Sequence, residues 1–354
     1  MTYSAKLTKK NRLKLFTALL CAAVLLLQLV SCSVNVKPVE PTEEETVVVG
    51  TVAGHDVYYD ELRYLTLNYL DELSEKYEDV SPSSPNADEI RAELRDLVVA
   101  ALSDSDYYAV AAMADEYYPG GSAAMLAEKK IVDATASEIN ELAEELGGKR
   151  AYFNELSANH MNDRLMRFYL SCESCATELI YILKDDFGIL PSTEEELREA
   201  LDSTALIRTN HLYLKGLTEE NRKTCEEARR ALLESDNREM EIILIKGKYH
   251  DADYTLTTTH GAYFSRYTSG YGDAYEEAAA ALSVGGVSDV VEGEDGYYVI
   301  LRMAPEKDYV TRNFDALASD YINSQFNIQL DAYRKANLFE FNEYGAGIDL
   351  LAIG

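Results

Sequence analysis

The chain has 354 residues, more than one compact domain ordinarily holds, and its 47% apolar content suffices to build a core in each of two. Against 33 Lys and Arg stand 62 Asp and Glu, a formal charge of −29 at pH 7. A surface that acidic repels nucleic acid and anionic lipid headgroups, so any membrane attachment must come from something other than basic side chains.

Taken in chain order, Lys6, Lys9, Lys10, Arg12 and Lys14 precede an apolar run from Leu15 to Leu29, which ends in Leu29-Val30-Ser31-Cys32. The run is shorter than the ~20 residues of a spanning helix, and its cationic start and small terminal residue describe a secretory leader over 1–31. An uncleaved membrane anchor is the alternative. Its end resembles the bacterial lipobox, which implies cleavage before Cys32 and a lipid on that residue. Residues 32–46, with Pro38, Pro41 and Glu43-Glu44-Glu45, lack an apolar period and read as an acidic tether that spans roughly 45 Å when extended.

The stretch from Val47 to Val57 predicts a hairpin turning at Gly54, and a helix follows from Tyr59 to about Tyr77. From Ala87 to Leu190 the pattern is helical almost throughout, with breaks at Ser103-Asp104, Pro119-Gly120-Gly121 and Gly147-Gly148. Cys172 and Cys175 have the spacing of a metal or redox half-site. They lie inside one amphipathic helix, however, and no second pair or nearby histidine completes four ligands, so a structural role is expected and no metal.

Pro191-Ser192-Thr193 before three glutamates marks a helix start, and Arg208 to Lys215 reads as a strand with His211 inside it. A helix over Glu219 to Ser235, an irregular stretch including Lys246 to Asp253, a helix from Tyr275 to Leu282 and a closing strand from Gly296 to Arg302 complete a small α+β domain. Asn313 to Lys335 predicts a long amphipathic helix, and Leu338-Phe339-Glu340-Phe341 a final extended segment.

The Arg208-x-x-His211-apolar strand and the closing Gly296-Tyr-Tyr-apolar strand resemble the first and last strands of parvulin-type peptidyl-prolyl isomerases. Thr51-Val52-x-Gly54 followed by Tyr59-x-Glu61-Leu62 resembles the opening of PrsA-like and SurA-like chaperone domains. The resemblance implies a mostly helical α+β fold: a SurA-N-like chaperone domain (47–204) with an inserted small parvulin-like domain (205–307) and a C-terminal helix returning to the chaperone domain (308–354). It implies a proline-binding pocket with His211 as its first histidine and Phe264 and Tyr275 as aromatic walls. Tyr298 stands where the family has its second histidine, and Asp251 falls one step from the family's acidic position, as does Asp253. Ala280 stands where a second aromatic is usual, and the family's pocket methionine has no counterpart.

The same resemblance implies an extracytoplasmic, lipid-anchored foldase that acts on unfolded or nascent secreted polypeptides without a cofactor. Two activities fit such a pocket. One is weak peptidyl-prolyl isomerisation, since a phenol can still donate one hydrogen bond; the other is client binding without turnover. The oligomeric state is not legible in the residues.

Overall fold

A computed structural model describes residues 34–249 and 260–353; the expected leader, Cys32 and Asp251 lie outside the described residues. In chain order the strands are β1 Val48–Val52, β2 His55–Tyr58, β3 Ile207–Lys215, β4 Ala262–Phe264, β5 Val291–Glu292, β6 Gly296–Met303 and β7 Glu340–Phe341. The helices are α1 Tyr59–Leu73, α2 Ala87–Ser103, α3 Asp106–Tyr117, α4 Gly121–Leu126, α5 Lys129–Glu145, α6 Lys149–Ala158 and α7 Asp163–Asp185. They continue with α8 Glu194–Leu201, α9 Glu219–Glu234, α10 Arg238–Lys248, α11 Asp273–Ala281, α12 Lys307–Arg312, α13 Phe314–Ala336 and α14 Glu343–Ala346. The chain divides into two compact units, Met1–Ile182 with Leu330–Gly354, and Leu183–Gln329. The architecture is mostly helical α+β, with one unit a continuous segment set into the sequence of the other.

In the first unit β1 and β2 pair antiparallel through Val52 and His55, and the two turn residues, Ala53 and Gly54, take φ of 55° and 82°. Two successive left-handed residues make the tight turn whose twist suits a hairpin, which is why glycine stands there. The apolar positions of α2, Leu94, Val98, Ala101 and Leu102, fall on one face and are buried with Leu62, Tyr69 and Leu73 of α1 and Tyr108 of α3. Two breaks were not expected: Ala127-Glu128 between α4 and α5, and the stretch between α6 and α7, where His160 takes φ 59°. Cys172 and Cys175 are buried free thiols whose pKa burial raises, Cys175 to about 11, which leaves them unreactive.

The end of the chain is part of this unit's core. Phe339, Leu350 and Leu351 are buried in it, β7 extends the hairpin to a sheet ordered β2-β1-β7, and Arg91 forks onto Asp349 at 3.0 and 3.1 Å. So is the segment before β1. Val36 packs among Ile139, Tyr152 and Leu165, while the N–H groups of Val36 and Val39 bond Asn140 Oδ1 at 2.8 Å and Asp163 Oδ2 at 3.0 Å. A run that composition describes as a free tether is therefore fastened from residue 34 onward, where Val34 N donates to Glu144 Oε1 at 3.0 Å. The side chains of Val34 and Val36 carry that docking, and they are too few to shift an average of polarity.

In the second unit the sheet order is β4-β3-β6-β5, all antiparallel, with β3 and β6 in register from Arg208↔Met303 to Lys215↔Gly296. Side chains alternate across the pleat, so each face has its own core. On one face Leu212, Leu214, Val299 and Leu301 meet Cys225, Ala228 and Leu232 of α9 and Ile242 and Ile245 of α10. On the other, Ile207, Phe264, Tyr298 and Ile300 meet Tyr275 and Ala279 of α11. Helix α8 begins in a capping box in which Thr193 and Glu196 bond each other's backbone N–H groups.

Helix α10 replaces part of the stretch expected to be irregular. Asn237 caps it by accepting from Met240 N at 3.2 Å, and Ile242 with Ile245 supplies one buried stripe. Gly247 and the polar residues after it hide that short period in the sequence.

The return of the C-terminus onto β1 rests on two glycines. A Cβ at Gly50 would stand 2.4 Å from Glu340 O, and one at Gly345 2.0 Å from Val49 O. Alanine at either position is expected to destabilise the first unit by about 1–3 kcal/mol, the usual cost of overpacking. Urea denaturation of Gly50→Ala and Gly345→Ala checks this, and an unchanged midpoint in both refutes it.

Candidate functional site

The face of the second unit's sheet that meets α11 carries most of the residues singled out from sequence. Because β3 and β6 pair His211 with Ile300 and Tyr213 with Tyr298, the alternation puts Thr209, His211, Tyr213, Tyr298, Ile300 and Arg302 on that one face. Phe264 joins it through the Ile207↔Phe264 pair of β3 and β4.

At the centre, the Tyr275 hydroxyl lies 2.8 Å from His211 Nδ1 and 2.8 Å from Thr209 Oγ1. All three residues are fully buried, so this bridge joins polar groups within an apolar environment. Around the imidazole stand three phenol rings, all edge-on to it: Tyr271 at 4.8 Å, Tyr275 at 5.2 Å and Tyr298 at 5.5 Å between centroids. Tyr298 also stacks on Tyr213 at 4.7 Å, and Tyr213 donates to Asp295 Oδ1 at 2.6 Å. The result is a polar centre inside an aromatic enclosure, with Tyr213 and Tyr271 half-buried at its margin.

The segment before α11 shapes one side of this enclosure. Glu276, buried, accepts from the backbone N–H groups of Tyr267 and Ser269, the latter at 2.8 Å, and so ties residues 267–269 to the helix. Tyr271 is thereby held over His211. Beyond Thr209 on the same face lies Arg302, 7% exposed, whose Nε and Nη1 have no hydrogen-bond partner among the described residues; burial lowers its pKa.

The arginine three residues before His211 has a structural task. Arg208 is buried and gives Nε to His260 O and Nη1 to Ala304 O, both at 2.7 Å, and its third nitrogen to Glu306. It holds the start of β3 to the segment leaving β6, which fixes the register on which the site depends.

Of the residues expected in the pocket, His211, Tyr298, Phe264 and Tyr275 come together on this face, and Asp251 and Cys32 lie outside the described residues. Ala280 is exposed. The sequence reading missed Tyr213, although two residues beyond His211 is the spacing that shares a strand face. It also missed Tyr271, which stands one helical turn before Tyr275 but outside the helix. Among the described residues no group of three or more His, Cys, Asp or Glu is arranged to hold a metal ion.

No family model matches the chain, and no curated protein does. Among solved structures the chain is similar to the foldase protein PrsA of Streptococcus pneumoniae, with 14% identity, 82% of this chain and 93% of that one covered, and a TM-score of 0.33. PrsA of Bacillus anthracis matches with 15% identity over 65% of this chain and 95% of that one, TM-score 0.30. One of two SurA-like chaperones of Campylobacter jejuni matches with 12% identity over 84% of this chain and all of that one, TM-score 0.26.

Removal of the bridging hydroxyl isolates its contribution. Tyr275→Phe leaves Thr209 Oγ1 and His211 Nδ1 without this partner in a buried site and is expected to cost about 1–3 kcal/mol. Thermal or urea unfolding that reports on the second unit measures it; a neutral effect would mean that the hydroxyl bridge contributes nothing net.

Proposed function

We propose that the chain is an extracytoplasmic chaperone of unfolded secreted polypeptides whose second unit is a parvulin-like module with weak peptidyl-prolyl isomerase activity. The observation that carries this reading is the hydrogen-bonded centre of His211, Tyr275 and Thr209 inside aromatic walls formed by Phe264, Tyr271 and Tyr298. Rotation about an Xaa-Pro bond meets a barrier of about 18–20 kcal/mol because conjugation is lost in the twisted amide. No nucleophile or metal is needed. A site accelerates the rotation by holding the proline ring against apolar walls, excluding water and offering polar groups that suit the twisted form better than either planar one.

In this scheme the phenol of Tyr298 takes the place of an imidazole and offers one hydrogen bond, Phe264 and Tyr275 form walls, and His211 orients the Tyr275 hydroxyl. Asp251 is kept as the acidic member. The helical chaperone part expected over residues 47–204 and 308–354, most of which falls in the first unit, serves as the client-holding part, and Cys32 as the lipid attachment. A second reading is client binding without turnover. It is favoured by one specific observation: His211 is 0% exposed and enclosed by three rings, so it reaches a substrate only through its neighbours.

Turnover of short Xaa-Pro peptides by the full chain separates the two. Slow but measurable acceleration is expected, with Tyr298→His raising kcat/KM about fivefold, the equivalent of one net hydrogen bond of about 1 kcal/mol. Acceleration that is absent in both proteins, with aggregation of a denatured client still suppressed, leaves the binding reading alone.

Attachment is tested separately. Cys32→Ala is expected to move the protein from the membrane fraction to the soluble one or to leave an unprocessed precursor. A processed variant that still sediments with membranes rules out the lipid anchor.

A further inference from the structure

The first unit holds a pair of carboxyl groups for which peptide binding by the second unit has no use. Asp60 and Glu61 stand side by side at the start of α1, 5% and 2% exposed. Arg164 of α7 forks onto Asp60, whose Oδ2 also accepts from Asn162 Nδ2 at 2.9 Å. Glu61 makes no ion pair among the described residues. Its oxygens accept instead from two phenols, Oε1 from Tyr169 of α7 at 3.0 Å and Oε2 from Tyr108 of α3 in a short contact.

One guanidinium thus faces two carboxyl groups inside a core. If both ionise, one negative charge is buried without a counter-charge of its own, and holding a proton on Glu61 removes it. Among the described residues the titratable and charged groups facing Glu61 are Asp60 from α1, Tyr108 from α3, and Arg164, Tyr169 and Cys172 from α7, with Tyr64 and Tyr107 packed on Tyr169 behind them. Among the described residues Arg164 is the only cation of these, and Asp60 already engages it. Burial, opposed by the hydrogen bonds from Tyr108 and Tyr169, raises the Glu61 pKa to about 7.

We propose that Glu61 is a proton-operated latch of the helical unit, closing α1, α3 and α7 on one another when it is neutral and loosening their junction when it is ionised. The half-buried rings of Tyr64, Tyr107 and Tyr169 lie over this junction, Tyr107 stacked on Tyr169 at 4.0 Å and Tyr64 edge-on to it at 6.3 Å. Loosening exposes these rings first. The latch belongs to the first unit alone and stands whether or not the second turns over proline peptides.

The sign follows from linkage. In the folded state Glu61 holds its proton to about pH 7, and in the unfolded chain only to the ordinary glutamate value near 4.5. The stabilisation is therefore complete below about 4.5, is lost as pH rises through this window, and is gone above 7. Within the window the unfolding constant of wild type, divided by that of Glu61→Gln, is expected to rise about tenfold per pH unit, because one proton is released on unfolding.

Urea unfolding of the full chain and of Glu61→Gln across pH 5–8 measures this ratio. Carbon-13 NMR of the Glu61 carboxyl in the wild-type chain gives its midpoint directly and does not require the variant to fold. Tyr169→Phe removes a donor that favours the ionised form and is expected to raise that midpoint, a shift that mere packing does not produce. A midpoint near 7 that rises in Tyr169→Phe, together with a pH-dependent ratio, supports the latch. A carboxyl midpoint below about 5, or a ratio that is flat with pH, overturns it.

Discussion

The antiparallel pairing of β3 with β6 is the constraint on which the candidate site depends. The two strands are far apart in sequence, and each brings only half of the relevant side chains. Register decides everything about the result: a slip of one residue would carry His211 and Tyr298 to opposite faces and send Leu212 or Val299 into the polar centre. Arg208 bonds His260 O and Ala304 O across the ends of these strands, and Gly296 lets the backbone of Leu214 approach to where a Cβ would lie 2.3 Å from its carbonyl oxygen. These contacts hold the pairing at both ends, so the residues most responsible for the site's geometry do no chemistry in it.

Much of this was legible because strands announce themselves by alternation. Leu212, Leu214, Val299 and Leu301 form one apolar series, and the residues between them are the ones left to face α11. The capping sequence Thr193-Glu-Glu-Glu196 likewise named a helix start through a hydrogen-bonding preference that is local to four residues. What stayed hidden depended on contacts made across longer distances. Helix α10 has one short buried stripe and a glycine near its end, so its period is weak until β3 and β6 supply a surface for Ile242 and Ile245. Tyr271 lies in a polar loop and gains its place only because the Glu276 carboxylate collects two backbone N–H groups from that loop. The docking of Val36 was lost in the average composition of its neighbours.

Both units use tyrosine hydroxyls to satisfy buried polar groups. In the second unit Tyr275 serves a histidine and a threonine; in the first, Tyr108 and Tyr169 serve Glu61, and Tyr152 donates to Asp163 at 3.0 Å while Arg167 engages the same carboxylate at 2.8 Å. A phenol suits this work because its ring adds to the apolar core while its oxygen can both donate and accept. That economy gives a physical context for a chain with 26 tyrosines and no tryptophan, whose indole can only donate.

The docking of Val36 sets a length as well as a contact. From Cys32 to Val36 there are four peptide steps, at most about 14 Å even when fully drawn out. With a lipid on Cys32, the surface of the helical unit around Asn140 and Asp163 would sit at the height of the headgroups rather than tens of ångströms above them. An acidic body that close to an anionic leaflet lies within its negative potential, about one Debye length deep. With a lipid on Cys32, so short a leash would leave the molecule little freedom to tumble: the acyl chain would fix one end, and electrostatic repulsion would turn the acidic body outward from the leaflet.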